Sequence, residues 1–108
     1  MIVRPLLPTD AGCWIDGHWG QYGVARSVEI ARDLGYSDLL IVDIAEQKLM
    51  CMQPSYYRYA ITDEQEELLS EAADEVVDWL NNNVAPEGFS FGWHEGEFFL
   101  QSEEWWSE

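Results

Sequence analysis

Positive charge is missing from nearly half of this sequence of 108 residues. Arg58 is its last cationic side chain, and residues 59–108 carry 14 Asp or Glu without a Lys or Arg. The net charge of −16 therefore divides into −2 before Tyr59 (five cations against seven acids) and −14 after it. A chain of this sign repels a phosphate backbone, so we predict no direct contact with nucleic acid.

Long apolar runs and paired cysteines are missing as well. No apolar run approaches the roughly 20 residues that a membrane helix needs, and residues 1–8 are too short and too interrupted by proline for a signal peptide. Cys13 and Cys51 form no CxxC pair, which favours buried, unreactive thiols in a reducing compartment. We expect one domain over residues 1–108 that is cytoplasmic, in the host cytoplasm if a phage encodes it, with no membrane contact.

Periodicity and turn residues divide the first half of the chain into short elements. Residues 2–7 predict an edge strand, because Pro5 lacks the amide that a central strand needs. Residues 12–23, in which glycines alternate with large rings, predict an ordered loop. A helix is expected over about residues 21–34, ended by Gly35, and the apolar runs 39–44 and 48–52 predict a β-hairpin.

The second half carries the clearest local signals. Thr62 and Gln65 have the spacing of a capping box, which predicts a helix from Asp63 to about Asn82. Residues 89–93 and 97–101 flank a short turn that contains glycine, which predicts a second hairpin. The sequence therefore predicts an α+β fold: a single small domain in which two helices pack on an antiparallel sheet built from two β-hairpins.

The helix predicted after Thr62 separates its apolar and acidic residues. At about 100° per residue, one arc holds Leu68, Leu69, Ala72, Ala73, Val76, Trp79 and Leu80. The other flank holds seven carboxylates, namely Asp63, Glu64, Glu67, Glu71, Asp74, Glu75 and Asp78. This flank is about 22 Å long at a rise of about 1.5 Å per residue. Its linear charge density is therefore close to that of one nucleic-acid strand.

An acidic face of this kind is ordinarily the solvated side of an amphipathic helix. Such faces normally mix both signs, whereas no Lys or Arg lies between Asp63 and Asp78 to form stabilising pairs. Adaptation to high salt also produces acidic surfaces, but it does not account for charge confined to one half of a chain rich in aromatic residues. A strongly cationic partner would neutralise the charge that the chain leaves uncompensated.

Two tryptophans near the C-terminus predict a hydrophobic contact beside this charge. Trp105 and Trp106 belong to an acidic-aromatic tail over residues 102–108. One interpretation is that a ring packs against the domain and orders the tail. The alternative is a binding anchor, because Trp is enriched among interface hot spots. To the seven helix carboxylates we therefore add, as predicted partner-binding residues, Glu95, Glu97, Glu103, Glu104, Trp105 and Trp106.

Candidates for catalysis or metal binding are few. The sequence has no phosphate-binding glycine motif, and no catalytic signature surrounds Cys13. Asp16 and His18 are separated by one residue, and residues 94–97 hold a second group of metal-capable side chains that the fold could bring close. We predict no enzymatic activity, no metal ligand and no cofactor. A metal- or ligand-binding protein that uses the glycine-aromatic loop 12–23 is the alternative.

The size and one-sided acidity of the chain are similar to those of small acidic inhibitors that imitate nucleic acid, such as phage anti-restriction and anti-CRISPR proteins. This likeness covers composition alone and assigns no role to any residue. We predict an acidic protein-binding inhibitor that blocks a basic, nucleic-acid-binding protein, as an anti-defence protein would. An immunity-type protein that neutralises a cationic toxin is an alternative of the same class.

Overall fold

The computed structural model describes residues 5–17, 22–52 and 60–108. They form a three-stranded antiparallel sheet and four α-helices in the order β1 (Gly12–Ile15), α1 (Gly23–Asp33), α2 (Leu39–Met50), α3 (Asp63–Asn83), β2 (Phe89–His94), β3 (Glu97–Ser102) and α4 (Glu103–Ser107). A 3-10 turn at Pro8–Asp10 precedes β1. The predicted α+β class is confirmed, whereas the prediction of two helices on two hairpins is wrong in detail.

Helix α1 ends where the sequence predicts. The amide of Gly35 donates to the carbonyl of Arg32 at 3.1 Å, and the amide of Tyr36 donates to the carbonyl of Ala31 at 2.9 Å. This pair of bonds is a Schellman motif, which satisfies carbonyls that the helix end would leave unpaired. Gly35 has a φ of 117°, a conformation that favours glycine because it has no Cβ.

The start of α3 and the β2–β3 hairpin also follow the local signals. Thr62 Oγ1 accepts from the Gln65 amide at 3.1 Å, and Gln65 Oε1 accepts from the Thr62 amide at 2.9 Å. The predicted capping box is therefore confirmed. Strands β2 and β3 pair across a two-residue turn in which Glu95 and Gly96 have φ values of 51° and 84°. Positive φ at both positions matches the twist of the flanking strands.

The predicted first hairpin is a helix instead. Residues 39–50 form α2, and its N-cap residue Asp38 accepts from the Ile41 amide at 3.3 Å. Leu39 and Leu40 are 69% and 61% exposed. The run 39–44 resembles a strand because its two exposed N-terminal residues, Leu39 and Leu40, are as apolar as the buried ones, which hides the helical period. That period is visible in the buried residues, namely Ile41, Val42, Ile44, Ala45 and Lys48.

The third strand comes from the segment that was predicted to be a loop. Residues 12–15 form β1, which pairs with β3 so that Cys13 lies opposite Phe99, and β3 is the central strand. The pairing partner is distant in sequence, so no local pattern indicates it. Within the described residues, 5–7 form no strand, and the remainder of the predicted edge strand (2–4) and of the predicted loop (18–21) lies outside them.

One face of the sheet packs against the helices to form the core. Phe98 and Leu100 of β3 are fully buried, as are Val28 of α1 and Val76 and Leu80 of α3. Even α3, at 21 residues, is too polar to cross a membrane, and no other helix in the described ranges is long and apolar enough to do so.

Two contacts at opposite ends set α2 antiparallel to α3. Near the end of α2, the buried Lys48 places its Nζ 2.5 Å from Glu66 Oε1. Just before α2 begins, the ring of Tyr36 meets that of Trp79 edge to face, with centroids 5.5 Å apart. The first half of α3 therefore lies beside the end of α2, and the second half lies beside its beginning.

Helix α3 is also fixed to the edge of the sheet. The side chain of Asn81 accepts from the Phe91 amide at 2.6 Å and donates to the Phe91 carbonyl at 3.3 Å. These bonds satisfy two backbone groups of the edge strand β2 and protect that edge from pairing with another chain. The orientation of α3 is thus determined by both α2 and β2.

The hydroxyl of Tyr36 is buried, and none of the described residues hydrogen-bonds to it. Burial, reinforced by the carboxylates of Glu75 and Asp38, raises the pKa of Tyr36 to about 12. Because an ordinary tyrosine has a pKa of about 10, the folded state disfavours its ionised form. The associated stability is present below about pH 10 and is lost as the pH rises towards 12.

We predict that Tyr36→Phe stabilises the protein at pH 7 by about 1 kcal/mol, because it removes an unsatisfied hydroxyl and keeps the ring. The variant should also lose less stability than the wild type between pH 10 and pH 12. Urea unfolding at pH 7, 10 and 12 measures both effects. A loss of stability at pH 7 would show that the hydroxyl has a partner in solution.

Candidate functional site

The seven carboxylates predicted to line one flank of α3 are all exposed. We call this set the acidic flank; it consists of Asp63, Glu64, Glu67, Glu71, Asp74, Glu75 and Asp78. On the opposite arc Leu69, Ala72, Val76 and Leu80 are buried, and Ala73 and Trp79 are partly buried. Leu68, which was predicted to lie in the core, is 36% exposed.

The acidic flank has no cationic partner in the part of the chain that the structure describes. The three cations there pair elsewhere: Arg26 with Glu29, Arg32 with Asp33 and Glu46, and Lys48 with Glu66. Glu66 is thus the acid of α3 that the fold neutralises, and it lies outside the flank. Like charges three and four residues apart repel one another along the helix.

An exposed apolar surface on α2 was missed at the sequence level. Leu39, Leu40 and Met50 are 69%, 61% and 47% exposed, and we call them the α2 apolar surface. They were assigned to strands, so their common exposure on a helix could not be inferred. The helical spacing of residues 41, 44, 45 and 48 becomes visible only once their burial is known, because residue 48 is a lysine and the exposed first turn is apolar.

Glu97, a predicted partner-binding residue, has a local structural contact. Its Oε2 accepts from the amide of Gly17 at 2.8 Å, which links β3 to the segment after β1. The side chain is partly buried, whereas Glu95 in the hairpin turn is exposed. Of these two residues, Glu95 is the one whose carboxylate is available to a partner.

Three metal-capable side chains lie together where β1 ends. The ligand atoms of Cys13, Asp16 and Glu97 are all within 4.8 Å of one another. This arrangement brings Asp16 from one predicted ligand group beside Glu97 from the other, while His18 lies outside the described residues. A thiolate and carboxylates are suitable ligands for Zn²⁺.

The cysteines differ in exposure, so the prediction of two buried thiols is wrong for one of them. Cys51 is buried and Cys13 is exposed, and both are free. Partial desolvation, followed by the negative charges of Glu97 and Asp16, raises the pKa of the Cys13 thiol. A thiol in this environment stays protonated at neutral pH, which makes it a poor nucleophile.

The C-terminal residues form a short helix that packs on the outer face of the sheet. Trp106 Nε1 donates to the Ser90 carbonyl at 3.0 Å. The ring lies over Gly92, where a Cβ would come within 2.9 Å of it. Trp105 contacts the rings of Phe99 and His94, with centroids 5.2 and 5.4 Å away. Both tryptophans are partly buried, whereas Glu103 and Glu104 are exposed.

Comparison with known proteins supplies no template for these surfaces. No protein-family model, no curated protein and no solved structure matches the chain.

We predict that Trp106→Ala lowers the free energy of unfolding by about 1–3 kcal/mol, because a partly buried indole and its hydrogen bond to the sheet are lost. Glu104→Ala is the matched control on the same short helix. Its exposed side chain should change stability by less than about 0.5 kcal/mol. Denaturant unfolding compares the two, and equal stabilities would show that the helix does not contribute to the fold.

Proposed function

We propose that this protein is an acidic binding protein that blocks a basic, nucleic-acid-binding protein by covering its cationic surface with the acidic flank. The observation that supports the proposal is the exposure of all seven carboxylates on one side of α3, with no cation paired to them within the described residues. The Lys and Arg side chains that would otherwise contact phosphates would be the ones that the flank engages.

The spacing and rigidity of the flank support imitation of nucleic acid. Seven charges over about 22 Å give about one charge per 3 Å of helix axis, close to the roughly 3.4 Å of duplex axis per phosphate of one strand. The side of α3 opposite the flank is anchored by Val76 and Leu80, both 0% exposed. Because the backbone that carries the carboxylates is already ordered, binding restricts only their side chains, which favours affinity.

The predicted partner-binding residues of α4 lie on a different side of the sheet. Phe91 and Phe98 are buried beside the helices, whereas Gly92 lies on the opposite face beneath Trp106. Helix α4 is therefore separated from α3 by the sheet. The proposal consequently rests on the acidic flank, and Glu103, Glu104, Trp105 and Trp106 are not needed for it.

Charge reversal on the flank tests the proposed function. We predict that the triple variant Glu71→Lys, Asp74→Lys, Asp78→Lys keeps its fold, because the three side chains are exposed. In a pull-down from cell lysate at low salt, the variant should no longer capture the basic partner that the wild type captures. Salt should also release the wild-type complex, since the screening length falls from about 10 Å at 0.1 M to about 3 Å at 1 M.

The matched control reverses three exposed acids elsewhere, namely Asp33, Glu87 and Glu108. It changes the net charge by the same amount and should retain the partner. Equal loss of capture by both variants would mean that only net charge matters. Capture that survives reversal on the flank, within about twofold, would refute the proposed mechanism.

Metal binding is a second candidate function, favoured by the convergence of Cys13, Asp16 and Glu97. We predict that protein purified without chelator binds one Zn²⁺ per chain and releases the Cys13 proton on binding, since only the thiolate is a ligand. Asp16→Asn and Cys13→Ser should each weaken zinc binding by about tenfold or more, whereas Asp10→Asn should not. Titration calorimetry gives the result, and equal zinc binding by all four proteins would rule out this site.

A further inference from the structure

The exposed side of α2 is more apolar than a solvated helix face requires. Its outward residues recur at helical spacing, with Leu39, Asp43, Glu46 and Met50 along one line and Leu40 beside them. Leu39 and Leu40 are among the most exposed large apolar side chains of the described residues, at 69% and 61%. Single exposed leucines are ordinary, whereas adjacent ones beside a charged surface indicate a contact site.

The position of this surface relative to the acidic flank follows from the packing of Tyr36. Its ring contacts Trp79 of α3, and it precedes Leu39 by only three residues. Glu75 lies one turn before Trp79 on the same helix. The two leucines are therefore placed next to the second half of the acidic flank.

The orphaned hydroxyl of Tyr36 lies at the junction of the two surfaces. It is buried without a hydrogen-bond partner among the described residues, and the carboxylates of Glu75 and Asp38 both act on it. Buried hydroxyls normally have a partner. Asp38 and Glu75 are themselves exposed, so a Lys or Arg side chain of a partner can pair with them beside the buried ring.

Charge excludes two other occupants of the α2 apolar surface. A second copy of the chain would bring another −16 charges against the flank, and an anionic membrane would be repelled in the same way. A partner that covers the two leucines must therefore place positive charge beside its apolar groups.

We propose that the basic partner binds through an amphipathic cationic segment, whose Lys or Arg side chains meet the acidic flank while its apolar side chains cover Leu39 and Leu40. This inference rests on the proposed function and extends it, because imitation of nucleic acid alone needs no apolar contact. It predicts that the affinity for a cationic segment depends on the presence of apolar side chains along one face of the segment as well as on its charge.

Two synthetic helical peptides of equal length and charge test this inference. One carries lysines with leucines along one face, and the other carries the same lysines with glutamines instead. We expect the wild-type protein to bind the lysine-leucine peptide at least about tenfold more tightly at low salt, because burial of a leucine against an apolar surface is worth about that much. Fluorescence anisotropy measures both affinities.

Variants of exposed leucines localise the apolar contact. The double variant Leu39→Ser, Leu40→Ser should reduce the preference between the peptides to less than about twofold, because it removes the two leucines that the apolar side chains of the peptide would cover and leaves the flank unchanged. Leu7→Ser is the matched control, because Leu7 is 64% exposed but precedes the 3-10 turn before β1. It should keep the preference of the wild type, and thermal unfolding confirms that both variants are folded.

The outcomes separate this inference from the function on which it rests. Equal, salt-sensitive binding of both peptides by the wild type would overturn the inference and leave the electrostatic function standing. Binding of neither peptide would refute both. A preference that survives in the Leu39→Ser, Leu40→Ser variant would overturn the apolar contact. The wild type could also bind neutral phosphatidylcholine vesicles and lose this binding in the variant. That result would overturn the inference as well, because the leucines would then contact lipid.

Discussion

Burial of the apolar side of α3 is the interaction on which the rest of the structure depends. Full burial of a side chain such as Leu69, Val76 or Leu80 is worth about 1.5–3 kcal/mol, whereas repulsion between neighbouring carboxylates on a helix costs a few tenths of a kcal/mol per pair. Burial therefore prevails, and the helix forms although its other side is uniformly acidic. Asn81 at the sheet edge and Glu66 beside Lys48 then fix its orientation.

A surface with uncompensated charge is the consequence of that balance. In the described part of the chain, the buried Lys48 pairs with Glu66. Arg26 pairs with Glu29 of α1, and Arg32 pairs with Glu46 of α2. None of these cations neutralises the acidic flank, so its carboxylates repel one another. A cationic surface that bound there would relieve this repulsion, and the relief would favour binding. The same packing that folds α3 thus leaves its acidic flank exposed, and this exposure is the basis of the proposed binding to a cationic partner.

Local signals allowed half of this architecture to be predicted. The capping box at Thr62, the glycine after α1 and the turn before β3 each depend on a few neighbouring residues, and the acidic flank follows from helical period alone. Helix α2 was not predictable because its exposed first turn is as apolar as its buried side. Strand β1 was not predictable because its pairing with β3 is determined by distant residues. The α2 apolar surface could not be predicted because its residues were assigned to strands. The packing of Trp106 could not be predicted either, because it depends on the absence of a side chain at Gly92.

Carboxyl footprinting tests the central claim most directly. The free protein and its complex with the captured partner would be treated with a carbodiimide and a small amine, and modification would be located by mass spectrometry. We expect Glu71, Asp74 and Asp78 to react freely in the isolated protein and to be protected in the complex, while Asp33 and Glu87 stay equally reactive in both. Flank carboxylates that remain reactive in the complex, with protection elsewhere, would contradict the claim that α3 is the binding surface.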